Sequence, residues 1–156
     1  MKKKIFPFLL FLFLSSCGYE AVYSLKNRVN YAFTVSEFEL SGDRQVNLKI
    51  KQILNSYRNS SNEVEKNFTL TIYSNSEKIV TTKDASGDAT KFKNEITVDV
   101  QTLIDGTIKS NFSITESFIY NNNSNTFELR TYENQIKNNL AEIIVDKIIF
   151  KLAHTK

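Results

Sequence analysis

The chain is poor in cysteine, histidine, glycine and proline, and these shortages argue against most catalytic and metal sites. Its single cysteine is Cys17, and its single histidine is His154, close to the C-terminal end. A zinc-type site needs a cluster of Cys and His ligands, and a phosphate cradle needs a Gly-rich turn between a strand and a helix. The sequence has neither pattern, and His154 is interpreted as a solvated tail residue. We predict no catalytic residues, no metal site, no cofactor and no enzymatic activity.

The N-terminal segment has the order of a secretory signal peptide. Three lysines at positions 2–4 precede an apolar run over residues 5–14, which is interrupted only by Pro7. Ten residues are too few to cross a bilayer as a helix, and this arrangement is typical of a signal peptide. The run leads into Leu14-Ser15-Ser16-Cys17. This sequence resembles a bacterial lipobox, whose cysteine becomes the lipid-modified first residue of the mature protein.

Cys17 is therefore predicted to be the lipidation site. Two or more acyl chains hold a protein stably on a membrane, whereas a single chain is marginal. Two alternatives stay open: cleavage a few positions after Cys17, and an uncleaved anchor. Incorporation of labelled palmitate that survives Cys17→Ala would contradict lipidation. The predicted organisation is a signal peptide over 1–16, a lipidated tether over 17–31 and one domain over 32–156.

The charge of the mature chain does not favour nucleic acid as a partner. The formal net charge is +3, but three of the positive charges leave with the signal peptide, so +3 falls to zero. Nucleic-acid binding normally needs a net basic face. With no thiol left after lipidation, the domain has no disulfide available, and aromatic packing by 12 Phe and 7 Tyr can compensate.

Hydrophobic periodicity predicts the order strand, helix, three strands, helix. Residues 33–40 are predicted to form a strand that contains a bulge. Ser41-Gly42-Asp43 ends this strand and supplies a helix N-cap. An apolar face then recurs with helical spacing over 46–57. Residues 68–73 alternate as a half-buried strand, which we expect to kink at 74–76 and to continue through 79–80. Alternation resumes over 92–104 before Asp105-Gly106, a strong hairpin signal.

The register of that hairpin follows from keeping one face apolar. A three-residue loop over 105–107 pairs Ile104 with Ile108, and pairs Val100 and Val98 with Phe112 and Ile114. A strand to about residue 120, a loop over 121–124 and a long helix capped by Asn125 complete the chain. We predict an α+β two-layer sandwich: a small, mostly antiparallel four-stranded sheet with two helices on one face, in the order β-α-β-β-β-α.

A cluster of lysines surrounds the connection between the second and third strands. Lys78, Lys83, Lys91 and Lys93 lie among four carboxylates in this part of the sequence. They could form a solvated edge that blocks strand-to-strand aggregation. They could also meet anionic groups on a ligand, with nearby apolar strand residues accepting acyl chains.

The residues after the lipobox-like sequence resemble a known family. Residues 17–23 read Cys-Gly-Tyr-Glu-Ala-Val-Tyr. This is similar to the mature N-terminus of the LPS-assembly lipoprotein family, LptE, although Ala21 stands where that family commonly has proline. Residues 89–92, leading into the strand over 96–100, look like the family's central strand. Residues 117–122 and the following helix with Glu142 look like its last strand, loop and helix.

The resemblance implies a location, two partners and a ligand site. Members are anchored to the periplasmic leaflet of the outer membrane, and Gly18, where an Asp would be an inner-membrane retention signal, agrees with that location. They plug the lumen of the LptD-type β-barrel, help it to assemble, and bind and help to deliver lipopolysaccharide. Basic residues near the second and third strands contact the ligand in the family, which points to Lys83, Lys91 and Lys93 here.

Two other classes of protein stay open from the sequence. One is a different small outer-membrane lipoprotein that serves general β-barrel assembly or the envelope stress response. The other is a secreted hydrolase or carbohydrate-binding domain, which would need a pocket with convergent polar groups.

Overall fold

The fold consists of four strands and two α-helices in the predicted order. The structure, a computed structural model, describes residues 33–58 and 66–155. The elements are β1 (Phe33–Gly42), α1 (Arg44–Leu54), a 3-10 turn (Asn55–Tyr57), β2 (Lys66–Lys83), β3 (Ala89–Ile104), β4 (Thr107–Asn121) and α2 (Thr126–His154). The predictions for the signal peptide, Cys17 and the tether lie outside the described residues.

The strands form one mixed sheet in the order β1-β2-β3-β4. β1 runs parallel to β2, and the two remaining pairs are antiparallel. A parallel pair needs a crossover connection, which α1 provides. Apolar side chains on one face of the sheet are buried, and those of both helices pack with them. The predicted α+β sandwich, including its β-α-β-β-β-α order, is confirmed.

The core lies between the sheet and the helices and is almost entirely aliphatic. β2 contributes Phe68, Leu70 and Ile72, and each alternates with an exposed or half-exposed polar residue or tyrosine. The period of two thus gives a buried face and a wet face. The buried side chains of the helices are Val46, Ile50, Leu54, Ile136, Leu140, Ala141, Ile144, Val145, Ile148, Ile149 and Leu152.

The backbone at the end of β1 lies unusually close to the backbone of β2. The predicted bulge in β1 is present, since the pairing with β2 shifts between Val35 and Glu37. Gly42 ends the strand with φ of +97°. The amide of Asp43 then donates to the carbonyl of Ser74 at 2.9 Å. The chain can turn into α1 here because Gly42 has no side chain to oppose that approach.

Asp43 is the predicted N-cap of α1 and is confirmed as one. Its Oδ1 accepts hydrogen bonds from the amides of Gln45 and Val46, each at 3.0 Å, and its Oδ2 lies 3.1 Å from the ammonium of Lys137 on α2. Burial alone would raise the pKa of Asp43. The hydrogen bond from Val46 and the charge of Lys137 outweigh burial and lower the pKa below its ordinary value of 3.8.

We expect Asp43→Asn to lower stability at pH 7 by about 1 kcal/mol and to have a smaller effect at pH 3. Asparagine can still cap the helix, but it cannot pair with Lys137. Because the folded-state pKa is depressed, the carboxylate contributes stability above about pH 4, and this contribution is lost as the pH falls through the folded-state pKa. Urea titrations at both pH values measure the difference. Asp88→Asn, on the exposed turn after β2, is the control, and an equal loss for Asp43→Asn at both pH values would contradict the expectation.

The hairpin between β3 and β4 corrects one prediction and confirms two. Asp105 and Gly106 both have positive φ, 50° and 75°, and Ile104 pairs with Thr107. The turn therefore has two residues, as a primed turn requires, and the predicted pairing of Ile104 with Ile108 is wrong. A bulge then inserts Lys109 into β4. This extra residue shifts the register so that Val100 pairs with Phe112 and Val98 with Ile114, as predicted.

β2 is one continuous strand, so the expected kink at residues 74–76 is wrong. Its pairing with β3 runs without a shift from Phe68 to Val80, and the irregularities come only between Val80 and Lys83. Ser74, in the middle of that region, is buried and donates to Asn47 Oδ1 at 2.9 Å. The polar residues at 74–76 therefore continue the strand, because α1 satisfies the buried hydroxyl.

The long β2–β3 hairpin gives the domain two distinct ends. β1 pairs only with the first part of β2, up to Ser74. At about 3.3 Å per residue, the 18 residues of β2 span roughly 55–60 Å. We call the end with Phe33, Lys66 and the β3–β4 turn the proximal end. The end with Lys83, Ala89 and Asn121 is the distal end.

Candidate ligand-binding site at the distal end

The three lysines predicted as ligand contacts all lie at the distal end. Lys83 is the last residue of β2, and Lys91 and Lys93 lie near the start of β3. The strand register places Thr82 beside Lys91 and Ile79 beside Lys93. The structure thus brings Lys83 and Lys91 to neighbouring positions across the hairpin.

The ion pairs distinguish these lysines from one another. The ammonium of Lys93 lies 2.7 Å from a carboxylate oxygen of Glu95, two residues away on the same strand. Lys83 and Lys91 form no ion pair with any residue within 33–58 or 66–155, and both are exposed. They are therefore the two predicted contacts whose charge is available to an anion.

The acidic residue next to Lys83 is engaged by the backbone of the turn. Asp84 Oδ1 accepts hydrogen bonds from the amides of Ser86 and Asp88, each at 2.9 Å. The amide of Asp84 donates to the carbonyl of Asp88 at 2.9 Å. This carboxylate shapes the turn between β2 and β3, and it leaves Lys83 at the edge of a defined loop.

A cluster of aromatic and charged side chains attaches the distal half of the hairpin to α2. The ammonium of Lys78 lies 2.6 Å from Glu133 on α2 and 3.9 Å from the centre of the Phe92 ring. The hydroxyl of Tyr120 donates to Glu133 at 2.8 Å. Burial, together with this bond and the charge of Glu133, raises the pKa of Tyr120. The tyrosine therefore stays protonated and keeps donating. Lys78, engaged in this way, belongs to the scaffold of the site.

An open groove of about 800 Å³ runs beside this cluster, between the end of β4 and the start of α2. Lys91 of β3 lines it together with Leu129 and Tyr132 of α2. Two of its apolar lining residues are open to water, Phe118 at 46% exposed and Ile119 at 57% exposed. The lining residues are Lys91, Phe118, Ile119, Tyr120, Asn121, Asn122, Asn123, Ser124, Glu128, Leu129 and Tyr132.

The loop that forms the end of the groove is held by its asparagines. The backbone N–H of Asn122 donates to the carbonyl of Thr90, and its side-chain Nδ2 donates to the carbonyl of Ala89, each at 2.8 Å. Asn125 caps α2 by accepting from the amides of Phe127 and Glu128. The groove is therefore a built feature of the fold, and its lining combines the cation of Lys91 and the carboxylate of Glu128 with amide and apolar side chains.

The sequence predicted the lysines at this end but not the groove. The signal in the sequence that could have found the groove is the run Phe118-Ile119-Tyr120, in which three apolar residues break the alternation of β4. Strict alternation would leave one of the two faces polar. Such a run marks a place where both faces of an edge strand carry apolar side chains.

The described part of the chain contains neither a candidate membrane-spanning helix nor a candidate metal cluster. Over residues 33–58 and 66–155, no helix is long and apolar enough to cross a membrane. The same residues contain no group of three or more His, Cys, Asp or Glu side chains that could hold a metal ion.

Comparisons with known proteins found similarity in structure only. No family model and no curated protein matches the sequence. Among solved structures, the rare lipoprotein B of Shewanella oneidensis matches with a TM-score of 0.52 and 13% identity, over 74% of this chain and 95% of its own. A minor lipoprotein of Acinetobacter baumannii matches with a TM-score of 0.55 and 11% identity, over 76% and 90%. Lipoprotein B of Nitrosomonas europaea matches with a TM-score of 0.52 and 12% identity, over 83% and 90%.

These likenesses establish the fold. All three neighbours are named as lipoproteins, and the matches cover most of each neighbour. The chain therefore has the fold of these lipoproteins.

Proposed function

We propose that this protein is a non-catalytic, lipid-anchored outer-membrane lipoprotein of the lipopolysaccharide transport machinery. In this role it is attached through Cys17 to the periplasmic leaflet, assists the assembly of an LptD-type β-barrel, plugs its lumen and binds lipopolysaccharide. The lipobox-like sequence, the family resemblance of residues 17–23 and the fold shared with lipoproteins support the anchoring and the class of protein.

The observation that carries the ligand-binding part is the position of Lys91 in the lining of a groove with exposed apolar side chains, with Lys83 close to it across the hairpin. Neither lysine forms an ion pair within the described residues. Lipopolysaccharide carries both phosphate groups and acyl chains. Lys83 and Lys91 offer point charges for phosphate, without the bidentate geometry of arginine. The groove beside Lys91 offers apolar surface for acyl chains. Lys93 contributes less, because Glu95 already neutralises its charge.

The open face of the sheet supports the role of a plug. Its side chains are mainly hydroxyl and amide groups, and porin-type lumens are polar. Thr97 and Thr115, for example, share a hydrogen bond of 2.9 Å across β3 and β4. The other polar side chains of this face include Thr69, Thr71, Asp99, Gln101, Asn111, Ser113 and Ser117.

Affinity isolation of the tagged full chain from its native membranes tests the proposal. We expect a large outer-membrane β-barrel protein to co-purify, and cells without the tag are the control. Recovery with a general β-barrel assembly complex or an envelope stress component would favour the alternative class of outer-membrane lipoprotein. Recovery of the chain alone would contradict the proposal.

A further inference from the structure

The outer edge of β4 has no neighbouring strand in the part of the chain that the structure describes. β4 is the last strand of the sheet and pairs there only with β3. The amide of Ser110 donates to Thr102 Oγ1 on β3 at 3.1 Å. The amide of Asn122, just after β4, donates to the carbonyl of Thr90 on β3 at 2.8 Å. At both ends of this stretch, the amides of even-numbered residues are therefore directed towards β3.

The odd-numbered residues in between direct their backbone groups outward. The pairing of β4 with β3 runs without a shift from Ser110 to Asn121. Residues that exchange hydrogen bonds with the neighbouring strand alternate with residues that do not, so the N–H and C=O groups of the odd-numbered residues point away from β3. Their side chains lie on the open face of the sheet. The outward residues in the middle of β4 are all exposed: Asn111, Ser113, Thr115 and Ser117.

This edge lacks the features with which proteins commonly protect an edge strand. Charged side chains, prolines and bulges on such strands prevent another strand from adding. From Ser110 to Asn121 the sequence has no lysine, arginine, proline or glycine. Its one acidic residue, Glu116, lies on the helix side and forms an ion pair with Lys147 of α2. A regular row of backbone donors and acceptors is thus left open along β4.

The opposite edge of the same sheet is protected. β1 carries the bulge between Val35 and Glu37, which interrupts its regular pairing. Glu37 and Glu39 are exposed on this strand, and neither forms an ion pair within residues 33–58 and 66–155. A bulge and free carboxylates are the usual means of blocking an edge. Of the two edges, only that of β4 is suited to accept a further strand.

The side chains of β4 specify what kind of strand would fit. A row of free backbone groups recognises an extended backbone, and the neighbouring side chains supply the selectivity. On the open face, β4 presents hydroxyl and amide groups. On the helix side it presents Phe112, Ile114 and Phe118, besides the paired Glu116. Because opposing side chains share a face, the complementary strand alternates between uncharged polar and apolar residues.

A second copy of this chain fits the edge poorly. Two β4 strands related by a two-fold axis run antiparallel, and each residue opposes a residue on the same face. When the pairing is centred on Thr115, Glu116 opposes Ile114 of the second copy. Centring it one residue to either side sets Glu116 against Phe112 or against another Glu116. The carboxylate would meet an apolar side chain or a like charge, so a strand from a different protein is the better complement.

We propose that β4 pairs along residues 111–117 with an extended segment of the β-barrel partner, an inference that rests on the proposed function. The strands of a closed barrel wall are already paired with one another. The added strand therefore comes from a loop or terminal segment of the barrel protein that enters the lumen. It lies beside the middle of β4 and leaves the groove at the distal end free for lipopolysaccharide.

Photochemical cross-linking of the tagged full chain in its native membranes tests this pairing. A photoreactive amino acid is placed in turn at Ser113, Thr115 and Ser117. We expect all three to link to one short segment of the barrel protein, and the linked residue to move by about two positions, in one direction, with each step along β4. The same amino acid at Thr71, on β2 and the same face of the sheet, is the control and should not link to that segment.

The outcomes separate this inference from the proposed function. If the barrel protein is recovered but its cross-links are scattered over the wall, the inference is overturned and the proposed function stands. Ordered cross-links to a second copy of this chain would likewise overturn the inference. If no barrel protein is recovered at all, the proposed function fails and the named partner fails with it.

Ser113→Pro tests the role of the backbone directly. Proline is tolerated on an edge strand where the N–H faces outward, and it removes that donor. We expect at least about twofold less barrel protein to co-purify with this variant, because one hydrogen bond across the interface is lost. Ser113→Ala keeps the N–H and should recover as much barrel protein as the unchanged chain. Circular dichroism of both variants verifies that the sheet is intact, and equal recovery with intact sheets would overturn the proposal.

Discussion

Gly42→Ala is expected to destabilise the domain by about 3 kcal/mol or more, which is large for the addition of one methyl group. A Cβ at this position would lie 1.9 Å from the carbonyl oxygen of Ser74 and 2.8 Å from its carbonyl carbon. Both atoms belong to the backbone of β2, so neither can move without disturbing the sheet. The φ of +97° adds the strain of a conformation that side chains disfavour.

Gly87→Ala is the matched control for this experiment. Gly87 also has a positive φ, of +91°, but nothing lies within 4 Å of a Cβ built there. It should therefore lose only the conformational part, about 1–2 kcal/mol. Urea titration of both variants, followed by far-ultraviolet circular dichroism, gives the two free energies of unfolding. Equal losses would mean that the backbone of β2 shifts at Ser74 to accommodate the added Cβ. The close approach of the two backbones would then not be the cause of the destabilisation.

Lys83→Glu combined with Lys91→Glu is expected to weaken lipopolysaccharide binding by at least about tenfold, which corresponds to 1.4 kcal/mol. The double variant removes two unpaired cations and places two like charges where anionic phosphates would bind. Because both side chains are exposed and form no ion pair within residues 33–58 and 66–155, the fold should be unaffected. Binding of the purified full chain to lipopolysaccharide, measured at fixed ionic strength, gives the change in affinity.

Arg44→Glu combined with Lys51→Glu tests whether net charge alone is responsible. These two residues of α1 are exposed, and neither forms an ion pair within the described residues. The total change in charge equals that of the distal variant. We expect the control to bind within about twofold of the unchanged chain. Similar losses in both variants, or no loss in either, would contradict the assignment of Lys83 and Lys91.

Local sequence signals predicted the elements well because each has a local physical cause. Asp43 and Asn125 were identifiable as N-caps, since a short acceptor side chain before an amphipathic run satisfies the free amides of the first turn. The pairing of Val98 with Ile114 followed from the need to keep one face apolar. The loop length was wrong because a bulge at Lys109 gave the same register through a shorter turn.

Features that depend on distant parts of the chain could not be predicted. Ser74 looked like a break in β2, and only the approach of Asn47 on α1 shows how a buried serine is satisfied there. Which of the predicted lysines form ion pairs could not be predicted for the same reason. Lys93 and Lys83 look alike in the sequence, but the structure pairs Lys93 with Glu95 and gives Lys83 no ion pair in the part of the chain that it describes.

The hydrogen bond between Lys66 and Thr155 has a practical consequence for handling the protein. Since Phe33 pairs with Lys66 in the sheet and the ammonium of Lys66 reaches Thr155, the first and last described residues of the domain both lie at the proximal end. An affinity tag fused at the C-terminal end would thus leave the domain at the proximal end and keep the β2–β3 turn unobstructed for captured molecules. A tag inserted at Ser86 would crowd the very lysines whose ligand is being sought.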